Sequence, residues 1–268
     1  LAEAERLVKR FLGGCKVIGN DEIGQQIYLM ELECEEIAVQ AEPGQFVHIR
    51  VGDSFEPLLR RPFSVHDVEG SSFKVVYEVV GRGTKILSET GIGREVDVFG
   101  PLGRGFELEE GSKNLCIVAG GMGIAPFRLL ARKLRSGDSR VLAFVGAGDH
   151  RKLVGDSSLR SMGIEVFTAT EDGSLGFHGF VTDLLVKVLD RRRLKDVALY
   201  ACGPKGMLKS LAEIAFRRNL KAQASLEEFM ACGVGACLGC AVRLQDGKYG
   251  MVCKDGPVFF LNEVVFDG

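Results

Sequence analysis

Between Cys15 and Gly105, apolar and polar residues alternate in short runs: CKVIGN, QQIYLMELE, GQFVHIRV, FSVHDV, FKVVYEVV and EVDVFGP. A period of two buries one face of a strand and wets the other. Strands this short and evenly spaced, with no long helix between them, predict an antiparallel barrel or sandwich over 15–107. The texture then changes. Over 108–221, continuous apolar runs (LCIVAGG, RVLAFVGA, IEVFTAT, VALYACG) alternate with helical-period stretches (PFRLLARKLRSG, FVTDLLVKVLDRR, KGMLKSLAEIAFRR). Such alternation predicts an α/β domain built on a doubly wound parallel sheet. Residues 222–268 are glycine-rich and loop-like, too few to form a core unaided, and so predict a small module that needs a staple. Ahead of the barrel, LAEAERLVKRFLGG reads as an amphipathic helix from Leu1 to Leu12, stopped by Gly13-Gly14. The fold class is multidomain: β-barrel, α/β sheet and a C-terminal module.

Composition narrows the function classes. The chain has 268 residues, and its 34 Lys and Arg nearly balance 36 Asp and Glu, for a net charge of −2. No overall field draws it to nucleic acid or to an anionic membrane. No apolar run approaches the ~20 residues of a membrane span. A cytoplasmic location is the default expectation. Eight cysteines in such a chain are not expected to form a disulfide framework. Cys116 sits in an apolar run and reads as a small hydrophobe; Cys15 and Cys34 lie in expected strands and suggest no role.

The other thiols crowd together in CGVGACLGCAVRLQDGKYGMVC, where Cys232, Cys237, Cys240 and Cys253 follow C-x4-C-x2-C-x12-C. That is the plant-type [2Fe–2S] pattern, in which one loop wraps the cluster and a distant segment sends the fourth thiolate. Gly233, Gly235 and Gly239 suit backbone drawn tightly around sulfur. Zinc is the competing metal, although structural zinc sites usually bring two CxxC knuckles and here only Cys237/Cys240 form one. Four unrelated thiols are the bland alternative. A [2Fe–2S] cluster moves one electron at a time, so it requires a source and a sink elsewhere in the chain or in a partner.

In NLCIVAGGMGIAPF a strand runs into a glycine turn and a helix that opens at Pro126. Gly120, Gly121 and Gly123 there would let backbone N–H groups approach a phosphate. LYACGPKGML repeats the design and sets Cys202 and Gly203 at a strand's carboxyl edge, where open α/β sheets bind ligands. Glu171 and Asp172 follow another strand; an acidic side chain there would accept from a ribose 2′-OH and favour NAD over NADP, or simply form an acidic turn. In the barrel, Arg61 and Ser64 bracket Pro62-Phe63, and Gly83-Thr84 end the next β run in a turn suited to a pyrophosphate. His48, His66, His150 and His178 are scattered and suggest no site. Arg191-Arg192-Arg193 reads as a solvated helix end, with a docking patch as the alternative.

RPFS, GRGT, GGMGIAP and ACGP, in that order after a barrel, resemble the ferredoxin–NADP reductase superfamily. The closing stretch MACGVGACLGC…VCKDGPVF resembles one branch closely: the electron-transfer subunits of class 1B dihydroorotate dehydrogenase. The resemblance spans nearly the whole chain. It implies that the barrel binds FAD, the sheet domain NAD and the C-terminal module a [2Fe–2S] cluster. It also implies an FMN-containing catalytic partner in a two-plus-two heterotetramer, which oxidises dihydroorotate to orotate in pyrimidine biosynthesis. Arg61, Pro62, Phe63 and Ser64 would then cradle FAD, Val76, Tyr77 and Glu78 would run beside its phosphate and ribitol, and Gly83-Thr84 would close on its pyrophosphate. Gly120, Gly121 and Gly123 would meet the NAD pyrophosphate, with Asp172 at its ribose and Cys202-Gly203 at its nicotinamide. Glu78 departs from the pattern, because relatives often place a basic residue there. No catalytic base is expected in this chain; the partner would supply it. The partner surface is expected near the cluster, with exposed apolar residues from Val258-Phe259-Phe260-Leu261, burial of some of them in the core being the alternative. The nearest sibling reading is the flavin subunit of an NADH-dependent ferredoxin:NADP⁺ oxidoreductase or sulfide dehydrogenase.

Overall fold

The computed structural model describes residues 10–52, 56–109 and 111–266. Strands β1 (Phe11–Gly24), β2 (Ile27–Glu33), β3 (Phe46–Arg50), β4 (Arg61–Glu69), β5 (Ser72–Glu78) and β6 (Glu95–Leu102) close a barrel in the order β1-β2-β5-β4-β3-β6. Two short helices, α1 (Glu35–Ala38) and α2 (Arg82–Ser88), sit in its connections. Period-two alternation is visible in what fills it: Val47, Ile49, Val65, Phe73, Val75, Tyr77, Val96 and Val98 share the interior. Cys15 and Cys34 are buried there too, and burial raises both thiols above their ordinary pKa. The expected amphipathic helix is not continued into the described residues. Residues 1–9 lie outside them, and Phe11 to Gly14 already pair with β6, Phe11 opposite Gly100 and Gly14 opposite Asp97. Gly13 and Gly14 therefore do not stop a helix. Lacking side chains, they leave room for the Phe11 ring and the Glu95 carboxylate to fold over the strand.

The second unit is a parallel sheet of β7 (Asn114–Gly120), β8 (Arg140–Ala147), β9 (Glu165–Thr170), β10 (Phe177–His178), β11 (Val197–Cys202) and β12 (Lys221–Ser225), in the order β10-β9-β8-β7-β11-β12. Helices α3 (Phe127–Leu134) and α4 (Asp156–Ser161) cover one face, and α5 (Val181–Arg192) and α6 (Lys205–Arg218) the other. Burial on both faces explains the unbroken apolar runs. Leu115, Ile117 and Ala119 pack towards α3 together with Ile27, Val76 and Phe106 from the barrel side. Cys116 and Val118 pack towards α5 and α6. Arg192 is ion-paired to Glu165 on β9, so the arginine run is partly spent inside the domain.

The C-terminal module is not a separate appendage. A two-stranded hairpin, β13 (Ala241–Arg243) with β14 (Tyr249–Met251), follows the cysteine loop. The chain then returns as β15 (Val258–Phe260), antiparallel to β12. The boundary expected at 221/222 therefore runs through β12, a strand of the main sheet. Val258 to Leu261 are not the exposed patch the sequence suggested: Phe259 and Leu261 are buried and Val258 and Phe260 half-buried. The sheet's last edge demands a partner strand, and this segment supplies it.

One carboxylate ties barrel to sheet domain. Asp67 on β4 is buried and accepts from Arg128 Nε and Arg132 Nη2 on α3, both at 2.7 Å. Next to it, His66 Nδ1 lies 2.8 Å from the Ala125 carbonyl. Replacing Asp67 by Ala should cost about 2 kcal/mol in urea unfolding, less than for a fully buried pair because the guanidiniums stay partly wet. The expected signature is loss concentrated at the barrel–α3 contact, read by hydrogen exchange of α3.

Candidate cofactor sites

The four cysteines of the C-terminal loop stand as two pairs. Cys232 is within hydrogen-bond reach of Cys237, and Cys240 of Cys253. Backbone amides point at their sulfurs: Val234 N–H to Cys232 Sγ at 3.5 Å, Gly235 N–H to Cys253 Sγ at 3.1 Å, and Cys253 N–H to Cys240 Sγ at 3.4 Å. Burial works against a thiolate at Cys232, but amides of Val234, Cys237 and Ala236 outweigh it and bring that thiol down to about 6. Cys253, more enclosed and beside Cys240, is pushed up to about 12. Positive φ at Gly233 (71°) and Gly235 (79°) turns these amides inward, a conformation glycine adopts without strain. Among the described residues, no three metal-ligating side chains gather about one point. Two thiol pairs with N–H···S contacts fit two irons, each held by two thiolates.

The barrel residues singled out by the sequence are only partly drawn together. A Cβ on Gly83 would lie 3.2 Å from Arg61 Nε, so the start of α2 rests on the Arg61 guanidinium and the RPFS and GRGT stretches meet. Pro62 and Ser64 lie on the outer face of β4, opposite His48 and Phe46 of β3. Phe63 and Tyr77 instead turn into the barrel, edge to face at 5.6 Å, and the Tyr77 hydroxyl donates to Asn20 at 2.9 Å. Only their backbone is left for a cofactor. Val76 packs into the barrel–sheet core. The Thr84 hydroxyl is spent locally, accepting from Val80 and Gly81 N–H. Glu78 meets Lys152 Nζ at 3.0 Å, which answers the missing basic residue on β5: the cation comes from the sheet domain. No local sequence signal points to Lys152, because it is 74 residues away.

A cleft of 490 Å³ opens at the carboxyl ends of β7 and β8, lined by Gly120, Gly121, Gly146, Ala147, Gly148, Glu171, Phe180, Thr182 and Ser210 among others. Of the glycines singled out by the sequence, Gly120 and Gly121 line this cleft. Gly123 does not line it: a Cβ there would land on the Cys202 carbonyl, so this glycine serves the packing of β7's turn against β11. Asp172 is likewise turned away; its carboxylate accepts from Ser174 N–H and Oγ, which lower its pKa, and Glu171 takes the place at the cleft. The Cys202 side chain is buried, and burial with the nearby Glu227 charge keeps its thiol protonated. Gly203, at φ 155°, packs against Gly120 and Met207. Gly146 and Gly148, at and just past the carboxyl end of β8, are not singled out by the sequence reading, although a glycine-rich strand end is a readable signal. Gly123→Ala should destabilise the protein far more than Gly121→Ala. The latter meets nothing within 4 Å and pays only for its positive φ of 54°, roughly 1–2 kcal/mol; paired urea melts check the contrast.

The family model describing the iron-sulfur cluster binding domain of dihydroorotate dehydrogenase B matches residues 227–265. Proteins named dihydroorotate dehydrogenase B (NAD(+)), electron transfer subunit, align over 94% of this chain in Desulforamulus reducens, at 40% identity and 97% of that protein. In Shouchella clausii the identity is 39%, over 94% of this chain and 98% of the relative. In Caldanaerobacter subterraneus it is 41%, over 94% and 97%. A solved NADH-dependent reduced ferredoxin-NADP oxidoreductase, studied for flavin-based electron bifurcation, superposes with a TM-score of 0.85 at 30% identity, covering 95% of this chain and 90% of that one. The ferredoxin reductase of carbazole 1,9a-dioxygenase shares the fold at a TM-score of 0.68 and 18% identity, over 79% of this chain and 67% of its own. With near-full-length identity at this level, the chain belongs to the family of electron transfer subunits of NAD⁺-dependent dihydroorotate dehydrogenase B.

Proposed function

We propose that this chain carries electrons between NAD⁺ and the catalytic subunit of a dihydroorotate dehydrogenase, in pyrimidine biosynthesis, as an FAD- and [2Fe–2S]-containing oxidoreductase subunit. The observation that carries the reading is the pair of thiol pairs with amides aimed at sulfur, in a chain whose relatives bear that name. When bound, the flavin exchanges a hydride with the nicotinamide and the cluster relays single electrons. The protein's own part is to hold and orient. Cys232, Cys237, Cys240 and Cys253 would hold the cluster. Arg61, Ser64 and the start of α2 at Gly83, together with backbone of Phe63 and Val76 to Glu78, would hold FAD, with Lys152 held in place by Glu78. Gly120, Gly121 and Glu171 would receive NAD, whose ribose Glu171 rather than Asp172 is set to meet. Among the described residues, no helix is long and apolar enough to cross a membrane.

The docking surface for the catalytic subunit lies around the cluster loop rather than on β15. Phe229 is 92% exposed, Tyr249 66% and Leu238 63%, all within the module that carries the cysteines. Exposed aromatic and aliphatic anchors of this kind are the usual hot spots of an interface. A second reading, the flavin subunit of an NADH-dependent ferredoxin-NADP oxidoreductase, draws on the 30% identical structure. The partner decides between the two.

Anaerobically purified protein should show flavin bands over broad iron–sulfur absorbance, and NADH should bleach both. A colourless, zinc-loaded protein would overturn the proposal. Cys237→Ser should remove the iron–sulfur absorbance and leave the flavin bands. Phe229→Asp combined with Leu238→Asp should weaken binding of the dihydroorotate dehydrogenase catalytic subunit at least tenfold, about 1.4 kcal/mol, in a titration followed by calorimetry; unchanged affinity would move the interface elsewhere.

A further inference from the structure

His48 has no place in the functions assigned so far. It lies on β3 between Val47 and Ile49, whose side chains fill the barrel interior, so its own ring faces outward, as does that of Phe46. Yet the ring is fully buried, and neither nitrogen has a hydrogen-bond partner among the described residues. An imidazole always brings at least one N–H donor. Burying it unpartnered is worse than replacing it by an apolar ring of similar shape, so packing alone does not account for a histidine here.

Its surroundings supply the reason. The backbone of Gly233 lies directly on the ring, where an added Cβ would stand 3.0 Å from His48 Nδ1 and 3.1 Å from Cε1. Gly233 follows Cys232 in the chain. Across the barrel ladder, His48 pairs with Pro62 and its neighbour Phe46 with Ser64. One imidazole thus lies between the strand assigned to FAD and the loop assigned to the cluster. Hydrogen bonds to sulfur are among the levers that set an iron–sulfur potential. A donor stabilises the extra negative charge of the reduced form and raises that potential.

We propose that His48 is a positioning residue whose imidazole N–H is held for the cluster at Cys232, hydrogen-bonding a sulfur of the bound [2Fe–2S] group and raising its reduction potential. The inference rests on the cluster reading above. It also explains Gly233: any side chain there would push the cysteine loop off the ring.

The test uses the complete flavin- and cluster-loaded protein with EPR-monitored redox titration. His48→Phe removes the donor and keeps the packing; His48→Asn keeps a donor near the Nδ1 position. His48→Phe should lower the cluster potential by the equivalent of a tenfold change in oxidised-to-reduced ratio, about 59 mV for one electron. His48→Asn should restore most of it. An unchanged potential in His48→Phe overturns the proposal. A second measurement needs no substitution: wild-type protein labelled only at histidine with nitrogen-15 should show a histidine coupling to the reduced cluster in pulsed EPR. A cluster signal without that coupling overturns the role of His48 alone. No cluster signal overturns the cluster reading and the inference together.

Discussion

The contact on which the rest of the molecule depends is the apolar seam where three regions of the chain share one core. Phe46 and Leu102 from the barrel, Cys240, Val252, Cys253 and Phe259 from the C-terminal module, and Leu199, Ala201 and Leu208 from the sheet domain are buried together. A module of some forty residues cannot order itself at this size. It borrows order from a sheet edge through β12 and β15 and from the barrel through Phe46. Two of the four cysteines proposed to hold the cluster, Cys240 and Cys253, are part of that core, which fixes their loop against the barrel strand carrying Phe46. Electron relay needs such fixed spacing more than it needs reactive side chains.

The second constraint is polar. Asp67 and His66, adjacent on β4, both engage the start of the sheet domain, one through two arginines of α3 and the other through the Ala125 carbonyl. These contacts and the Glu78–Lys152 pair cross the same barrel–sheet seam. Asp67 and His66 are buried and satisfied only when the two units are docked, so they select one docking geometry over its neighbours, while the Glu78–Lys152 pair lies at the seam's exposed rim. Val76 and Ile27 add apolar contact to the same seam.

Glycines divide into two kinds that composition does not separate. Gly121, Gly233 and Gly235 hold positive φ, and beside the last two the backbone turns amides towards cysteine sulfur. Gly123, by contrast, is needed because the Cys202 carbonyl packs against its Cα. The same contrast applies to acids: Asp172 serves its own turn, while Glu171, one residue earlier, faces the cleft. A one-residue difference of this sort is set by the twist of β9 and the turn that follows, not by residue type.

The sequence by itself determined the element types, because period-two and continuous apolar runs are imposed by one-sided and two-sided burial. It also determined the cluster chemistry, because C-x4-C-x2-C-x12-C is a local spacing that thiol ligation requires. It misread Phe11 to Gly14, whose strand state comes only from pairing with β6, about ninety residues away. Only the tertiary structure decided that β12 and β15 weld the module to the sheet, that Val258 to Leu261 are covered, that Lys152 reaches Glu78, and that His48 lies beneath Gly233. Those are relations between residues 33 to 185 positions apart. Pattern along a chain reports which face of an element is buried; which distant element buries it is settled by packing.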